Sequence, residues 1–218
     1  MAVRTLLRRG MMALIGLEVG LALAYYTVIW QQGQSPLLLD FNGLRSLPSL
    51  IQAAHLFTIG GLCLIVLIYR HRMARPLSWF LPVALMSLCF YGGLDEMTKL
   101  HLYLNQYDWK VIYLGILVAI PILGWRDLRQ IWRQHRPTML WVLSGVGIFL
   151  VGGFGAEMLK GAIASELAIY ETSRIPFLAE HLRITVEELA ELLGETLILY
   201  AFATFTYDVL IARSKAVD

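Results

Sequence analysis

The chain has 218 residues, of which 58% are hydrophobic and 16% charged, and its mean hydropathy is +0.63. Soluble domains carry about 25% charged residues, so this composition excludes an ordinary soluble protein and predicts an integral membrane protein. The net charge of +2 is small, and the basic residues lie mainly at the ends of apolar segments, where they determine membrane topology, so we expect no nucleic-acid partner.

Six apolar segments each come close to the roughly 20 residues that a helix needs to cross a bilayer. They cover residues 11–30, 50–69, 78–97, 109–125, 138–162 and 186–211. The fourth is the weakest because it is short and contains Pro121, although membrane helices tolerate proline. The pattern predicts an all-α fold, a single six-transmembrane-helix bundle over residues 1–218. Of the two long connections, 31–49 and 163–185, the second is expected to contain two helical pieces separated at Pro176.

Lysine and arginine are unevenly divided between the two ends of these segments. If the N-terminus is cytoplasmic, twelve of the eighteen basic residues lie on the cytoplasmic side. The positive-inside rule therefore predicts that both termini are cytoplasmic. Twelve of the sixteen acidic residues then lie on the opposite side. We expect a bacterial cytoplasmic or thylakoid-type membrane, with the acidic residues facing the periplasm or lumen.

The first apolar segment has two interpretations. Basic residues at 4–9, an apolar stretch and small residues at 22–24 are typical of a cleavable signal peptide. However, Glu18 interrupts the apolar stretch, and the hydrophobic run continues to Trp30. These features favour a retained transmembrane helix.

Small residues recur every four positions in two segments. Gly16, Gly20 and Ala24 form such a row in the first segment, and Gly152 and Ala156 lie four apart in the fifth. Spacing of this kind lets membrane helices approach closely. We expect close packing of the fifth helix within the chain, and a homo-oligomer through the face of the first.

Carboxylates and histidines from several segments fall near the outer boundary of the membrane. Ionisable residues inside a membrane are rare and are usually functional. The predicted site residues are His55, Asp95, Glu96, His101, Glu157, His181, Glu188, Glu191 and Glu195. Glu18 lies toward the inner half of the first segment, and we expect it to stand apart from this outer cluster.

The last segment carries acids of two kinds. Thr185 and Glu188 fit a capping box, with Thr185 as the N-cap, and Glu187 would be an ordinary first-turn acid. Glu191 and Glu195 lie further along, so this explanation does not cover them. Glu188, Glu191 and Glu195 share one helical face. Because Glu195 is the deepest of them, Glu195 and Glu191 are the predicted catalytic residues.

Several of these residues also have a local structural explanation. Asp95 and Lys99 are spaced for an ion pair on one helix, and Glu157 and Lys160 have the spacing of another. A lone histidine in an apolar helix, such as His55, is more often a hydrogen-bonded core residue than a ligand. These local interpretations stay open beside the functional ones.

A mixed set of carboxylates and imidazoles is compatible with more than one chemistry. Such ligands suit Zn, Mn or Fe, so a bound divalent metal is one prediction. Two-metal bundles use Glu-x-x-His pairs, which this chain lacks, whereas three histidines and an acid could hold one Zn with an open position. Without a metal, the same carboxylates could form a proton relay.

Two short motifs carry a resemblance to other proteins. Asp95 and Glu96 end a middle helix with His101 five residues after Glu96, and Glu187 and Glu188 open the last helix, followed by Glu191. In this the chain resembles a loose group of uncharacterised multi-pass bacterial membrane proteins. The resemblance implies that Asp95, Glu96, His101, Glu188 and Glu191 form a site, and it implies no particular activity.

Three functions are compatible with these observations. The first is a divalent-metal-binding membrane enzyme that acts on a lipid-like substrate entering from the outer leaflet. The second is a small proton- or cation-coupled transporter. It is favoured by acids at different depths, but the chain has no inverted repeat. The third is a structural or assembly protein whose acids bind partner loops or membrane lipid.

Overall fold

The computed structural model describes residues 2–100, apart from 42, 44 and 74, together with residues 109–167 and 174–211. Within these ranges 88% of the residues are helical and none is in a strand. The all-α prediction is therefore confirmed. The helices are α1 (Ala2–Gln32), α2 (Leu47–Tyr69), α3 (Phe80–Thr98), α4 (Trp109–Leu123), α5 (Trp125–Gln134), α6 (Arg136–Ile148), α7 (Gly155–Leu167) and α8 (Ile175–Ile211). A π-helical segment, Phe149–Phe154, joins α6 to α7, and a 3₁₀ turn, Arg70–Arg72, follows α2.

Five helical segments in the described ranges are long and apolar enough to cross a membrane. They are α1, α2 with its 3₁₀ turn, α3, the continuous segment from α6 into α7, and α8. A sixth span exists only if α4 and α5 are counted together, and these two meet at an angle of 68°. The predicted weakness of the fourth span agrees with this bend, and the described ranges contain five or six spans. At about 1.5 Å per residue, α4 is roughly 22 Å long, shorter than a hydrocarbon core of about 30 Å, and the chain turns at Gly124.

Helix α8 is the centre of the bundle, in contact with α1, α2, α6, α7 and the π-helical segment. It begins at Ile175, well before the predicted start at residue 186, and Pro176 lies in its first turn. Proline fits there because a first-turn amide has no partner within the helix. The predicted separation of two helical pieces at Pro176 agrees with the start of α8 at Ile175, and residues 168–173 lie outside the description. The predicted capping box is wrong. Thr185 is inside the helix, where its hydroxyl donates to the carbonyl of His181 at 2.6 Å.

Glycines set the close approach of α6 and the π-helical segment to α8. A Cβ atom on Gly145 would lie 2.5 Å from the carbonyl oxygen of Gly194, and one on Gly194 would lie 2.7 Å from that of Gly145. A Cβ on Gly152 would collide with Ala190. The prediction of close packing by the small residues of this segment is confirmed.

The small residues of α1 behave differently. Cβ atoms built on Gly16 and Gly20 would meet no atom of the described chain within 4 Å, and Ala24 is exposed. This face is therefore not used for packing within the described residues. The homo-oligomer through it stays a prediction.

The apolar interior has separate clusters near the two ends of the bundle. Tyr25, Ile29, Phe41 and Leu192 are fully buried at the end where α1 finishes. A second cluster lies toward the end of α8, around Phe205. The free cysteines Cys63 and Cys89 are buried in a third, smaller cluster. The bundle is thus packed at both ends, with polar side chains between them.

Candidate functional site

Three helices bring Glu18, His55 and Glu195 together inside the bundle. Their relative exposures are 0%, 4% and 5%, respectively. The imidazole of His55 lies between the two carboxylates: its Nε2 is 3.7 Å from Oε1 of Glu18, and its Nδ1 is 3.5 Å from Oε2 of Glu195. One ring therefore bridges acids from α1 and α8.

This arrangement corrects the expectation for Glu18. The sequence separates Glu18 from the outer cluster because it falls toward the inner half of the apolar segment 11–30. In the structure α1 begins at Ala2, so Glu18 is near its midpoint and packs against His55 of α2. The expected separation from the cluster is wrong, since the extra turns at the start of α1 shift its midpoint toward this residue.

Several polar atoms of the three residues have no hydrogen-bond partner in the described part of the chain. Thr196 donates to Oε1 of Glu18. By contrast, Oε2 of Glu18, Oε2 of Glu195 and both ring nitrogens of His55 are buried without a properly oriented partner. A buried polar group without a partner costs about 1–3 kcal/mol. The three residues therefore destabilise the folded protein, as residues of functional sites often do.

Simple charge counting limits the protonation states that this group can adopt. Two ionised carboxylates beside a neutral imidazole carry a charge of −2, and a single added proton leaves −1. An unbalanced buried charge is destabilised by several kcal/mol, and the group becomes neutral only when two protons are added to this −2 state. An imidazole can accept a proton on one nitrogen and release one from the other. The geometry is therefore suited to holding and passing protons.

A second polar group lies one helical turn from the first. Gln52, which is 1% exposed, donates from Nε2 to Oε2 of Glu188 and to Oε2 of Glu191, both at 3.3 Å. Room for Glu191 comes from the π-helical segment, where a Cβ on Gly153 would lie 2.8 Å from Oε1 of Glu191. π-helical turns inside α-helices occur frequently at functional sites. All three acids that the spacing places on one face, Glu188, Glu191 and Glu195, contact side chains of α2.

The acids at the end of α3 have partners other than the predicted one. Lys99 forms its ion pair with Glu96 at 2.8 Å, and the hydroxyl of Tyr113 donates to Asp95 at 3.1 Å. Lys99 ends the helix as a left-handed cap residue, with φ of 50°. Burial lowers the pKa of Lys99, but the charge of Glu96, the hydrogen bond to it, and the charges of Glu188 and Glu191 outweigh burial and raise that pKa overall.

The remaining predicted site residues are not joined to this group in the described part of the chain. Nδ1 of His181 lies 2.8 Å from the hydroxyl of Tyr25, and its ring packs against Phe177. His101 lies outside the described residues. Glu157 belongs to α7, but its side chain is outside the description as well. His181 therefore packs against α1, away from Glu191 and Glu195.

Metal binding has no support from the residues that are described. Among them, no group of three or more His, Cys, Asp or Glu side chains is arranged to hold a metal ion. His55 cannot place both ring nitrogens on one ion, and its two nitrogens face different carboxylates. The divalent-metal site, with Zn, Mn or Fe, stays a prediction.

A large cavity of about 1470 Å³ connects the acidic group with the interior of the bundle. Apolar side chains from several helices line most of its length, among them Leu85, Leu117, Val142 and Phe202. Acidic and basic residues line the end formed by the last turn of α3 and the first half of α8, namely Asp95, Glu96, Lys99, Glu187, Glu188, Glu191 and Glu195. Arg129 of α5 lines the other end. The cavity is thus a long apolar space with a strongly acidic end.

The sequence identifies Glu18 as an intramembrane acid, but its contact with His55 depends on how the helices pack. Gln52 is a member of the site that the sequence analysis does not include. Its signal was available, because Gln52 and His55 lie three residues apart and therefore share a face of an otherwise apolar helix.

The chain belongs to the family described as a domain of unknown function (DUF8692), whose model matches residues 11–206. No curated protein and no solved structure matches the chain. Membership of this family agrees with the resemblance to an uncharacterised group. The match extends over nearly the whole bundle and includes every residue of the site described above.

Proposed function

We propose that the protein is a membrane enzyme that binds a lipid-like amphiphile and acts on its polar head with Glu191 and Glu195. The single observation that carries this proposal is the shape and lining of the cavity. Its volume of about 1470 Å³ exceeds the roughly 300–1,000 Å³ of pockets for drug-sized ligands. An apolar length that ends in carboxylates complements a molecule with an apolar chain and a polar head.

The two carboxylates supply the chemistry in this proposal. Glu195 and Glu191 both line the acidic end of the cavity, so a head group seated there touches them. Positioned carboxylates act as general acids and bases, with a typical effect of about 10²–10⁴-fold on rate. His55, on the far side of Glu195, would exchange protons with it. Acid–base catalysis at the head group requires no further residue type.

The orientation of the enzyme in the membrane is part of the same proposal. The excess of basic residues on one side favours cytoplasmic termini. The acidic end of the cavity then faces the periplasm or a lumen, and the substrate comes from the outer leaflet. We propose a bacterial cytoplasmic or thylakoid-type membrane as the location.

The test is the retention of lipid by variants in which the cavity is filled. Leu117 lines the cavity, whereas its neighbour Ile116 is 41% exposed and is not part of the lining. We expect wild-type protein and Ile116→Trp, extracted in native-lipid nanodiscs, to carry a specific lipid class that Leu117→Trp has lost. Lipid mass spectrometry measures this. Identical lipid content in all three proteins contradicts the proposal.

A second candidate function is proton-coupled transport. It is favoured by one specific observation, the imidazole of His55 between the carboxylates of Glu18 and Glu195 on three different helices. In proteoliposomes containing a pH-sensitive dye, Glu18→Gln and His55→Gln should then abolish proton uptake. His135→Gln, at the opposite end of the bundle beside Asp208, should leave uptake unchanged. Proton uptake no faster than in protein-free liposomes counts against this function.

A further inference from the structure

Carboxylates outnumber cations at the acidic end of the cavity. Of the three basic side chains that line this end in the described part of the chain, two have acidic partners: Lys99 pairs with Glu96 at 2.8 Å, and Arg183 pairs with Glu180 and Glu187. The third, Lys160, is exposed. Among the described residues of this lining, no lysine or arginine forms an ion pair with Glu188, Glu191 or Glu195.

Buried acceptor atoms accompany these acids. Glu195 is 5% exposed and lines the cavity, and its Oε2 accepts no hydrogen bond from any described residue, although Nδ1 of His55 lies 3.5 Å away. Gln52 uses its Nε2 on both Glu188 and Glu191, and its Oε1 is also without a donor. Among the described residues, the acidic end therefore has more acceptor atoms than donors to satisfy them.

These features select among the head groups that an amphiphile can carry. A phosphate or carboxylate head would be repelled by Glu188, Glu191 and Glu195. A neutral hydroxyl head would supply one donor and no charge. A primary ammonium group supplies three donors and one positive charge, and hydrogen bonds that involve a charged donor are roughly twice as strong as neutral ones.

We propose that the ligand of this cavity is an amphiphile with a protonated primary amine, bound by Glu188, Glu191 and Glu195. The inference rests on the proposed function, because it names the class of lipid-like molecule that the cavity takes. The ammonium group donates to the carboxylates, and the apolar chain lies along the part of the cavity lined by Leu117 and Phe202.

The experiment compares two probes of equal chain length, octadecylamine and octadecanol, for binding to the full-length protein in nanodiscs. Wild-type protein should bind the amine at least about tenfold more tightly than the alcohol, as expected for charged hydrogen bonds. Glu191→Gln or, independently, Glu188→Gln should remove this preference while octadecanol binding persists, which shows that the variant is folded. The matched control is Glu180→Gln, whose acid pairs with Arg183 and is not part of the cavity lining, and which should keep the preference.

The other outcomes separate this inference from the proposal beneath it. Equal affinity for amine and alcohol, unchanged in Glu191→Gln, overturns the amine and leaves the lipid cavity standing. If neither probe binds, or if Leu117→Trp binds both as well as wild type does, the proposed function fails as well. If wild-type protein shows no preference for the amine but binds Zn²⁺ or Mn²⁺, and Glu191→Gln loses this metal binding, the amine inference is overturned in favour of a metal site.

Discussion

Nε2 of His55 lies 3.7 Å from Oε1 of Glu18, and both side chains are almost completely buried although they belong to different helices. Their encounter depends on α8, which packs against α1 and against α2. The hydroxyl of Thr196 on α8 donates to the same oxygen of Glu18. The pair is therefore fixed by tertiary packing of three helices, and it should behave as one energetic unit.

The energetic coupling of Glu18 and His55 is the first prediction. In a double-mutant cycle with Glu18→Gln and His55→Gln, the free energies of unfolding should be non-additive by about 0.5–3 kcal/mol, as for residues in one polar network. Reversible unfolding in mixed micelles measures this. His135 provides the control, because it lies beside Asp208 at the far end of the bundle. The free energies of Glu18→Gln and His135→Gln should be additive. Additivity in both cycles would show that the contact between Glu18 and His55 does not contribute to stability.

The second prediction concerns the crossing of α6 and α8. Gly145→Ala should destabilise the protein by about 1–3 kcal/mol, because the added methyl group meets the backbone of Gly194 and cannot be accommodated without a shift. Gly147→Ala on the same helix has open space around its new methyl group. It should be neutral or stabilising by up to about 1 kcal/mol, from helix propensity alone. Thermal unfolding of both variants measures the difference, and equal melting temperatures would contradict the crossing.

The sequence predicts the membrane-spanning helices well because the length of an apolar segment depends only on consecutive residues. The segments 50–69, 78–97 and 138–162 lie within or almost within α2, α3 and the span that includes α6. The errors occur where tertiary contacts override the pattern. The acids around Glu187 look like the start of a helix, but α8 continues back to Ile175, and the first part of α8 packs through Leu178 and Ile184 into the cluster around Tyr25.

The candidate site was predictable as a set of residues and not as a set of contacts. The face shared by Glu188, Glu191 and Glu195 follows from helical periodicity. The link from Glu195 through His55 to Glu18 depends on which helices are neighbours, and periodicity carries no information on that. His101 lies outside the described residues, so its predicted role stays a prediction.

The third prediction concerns topology. Leu37 is 91% exposed in the connection after α1, and Arg133 is exposed on α5. Cysteine introduced at Leu37 should react with a membrane-impermeant maleimide in intact cells, whereas cysteine at Arg133 should react only after permeabilisation, as the positive-inside rule requires. The native Cys63 and Cys89 are buried and should stay silent. The reverse labelling pattern would move the acidic end of the cavity to the cytoplasm.

The fourth prediction is a pH dependence that comes from Lys99. Its pKa in the folded protein is raised above the ordinary lysine value of about 10.4. Because the pKa is raised, protonated Lys99 stabilises the folded protein fully at any pH below the pKa that lysine has in the unfolded chain. This stabilisation is lost as the pH rises through the pKa of Lys99 in the folded protein. The stability difference between wild type and Lys99→Met should thus be constant from about pH 7 to 9 and shrink only above about pH 10.4. Unfolding measured across this range tests it, and a difference that shrinks already below pH 9 would contradict the ion pair with Glu96.

The last prediction separates the working acids from the structural ones. Glu195→Gln keeps the shape of a side chain that is 5% exposed and lines the cavity, but it removes the ability to take up and release a proton. Overproduction of the wild-type protein should change the lipid composition of the host membrane, and Glu195→Gln, present at the same level, should not. Glu187→Gln is the matched control on the same helix, because Glu187 is engaged with Arg183. It should change the lipids as wild type does, because Arg183 keeps its second partner, Glu180. Untargeted lipid mass spectrometry of the membranes measures all three, and equal effects of the two substitutions would show that neither burial nor contact with His55 marks the acid that acts on the substrate.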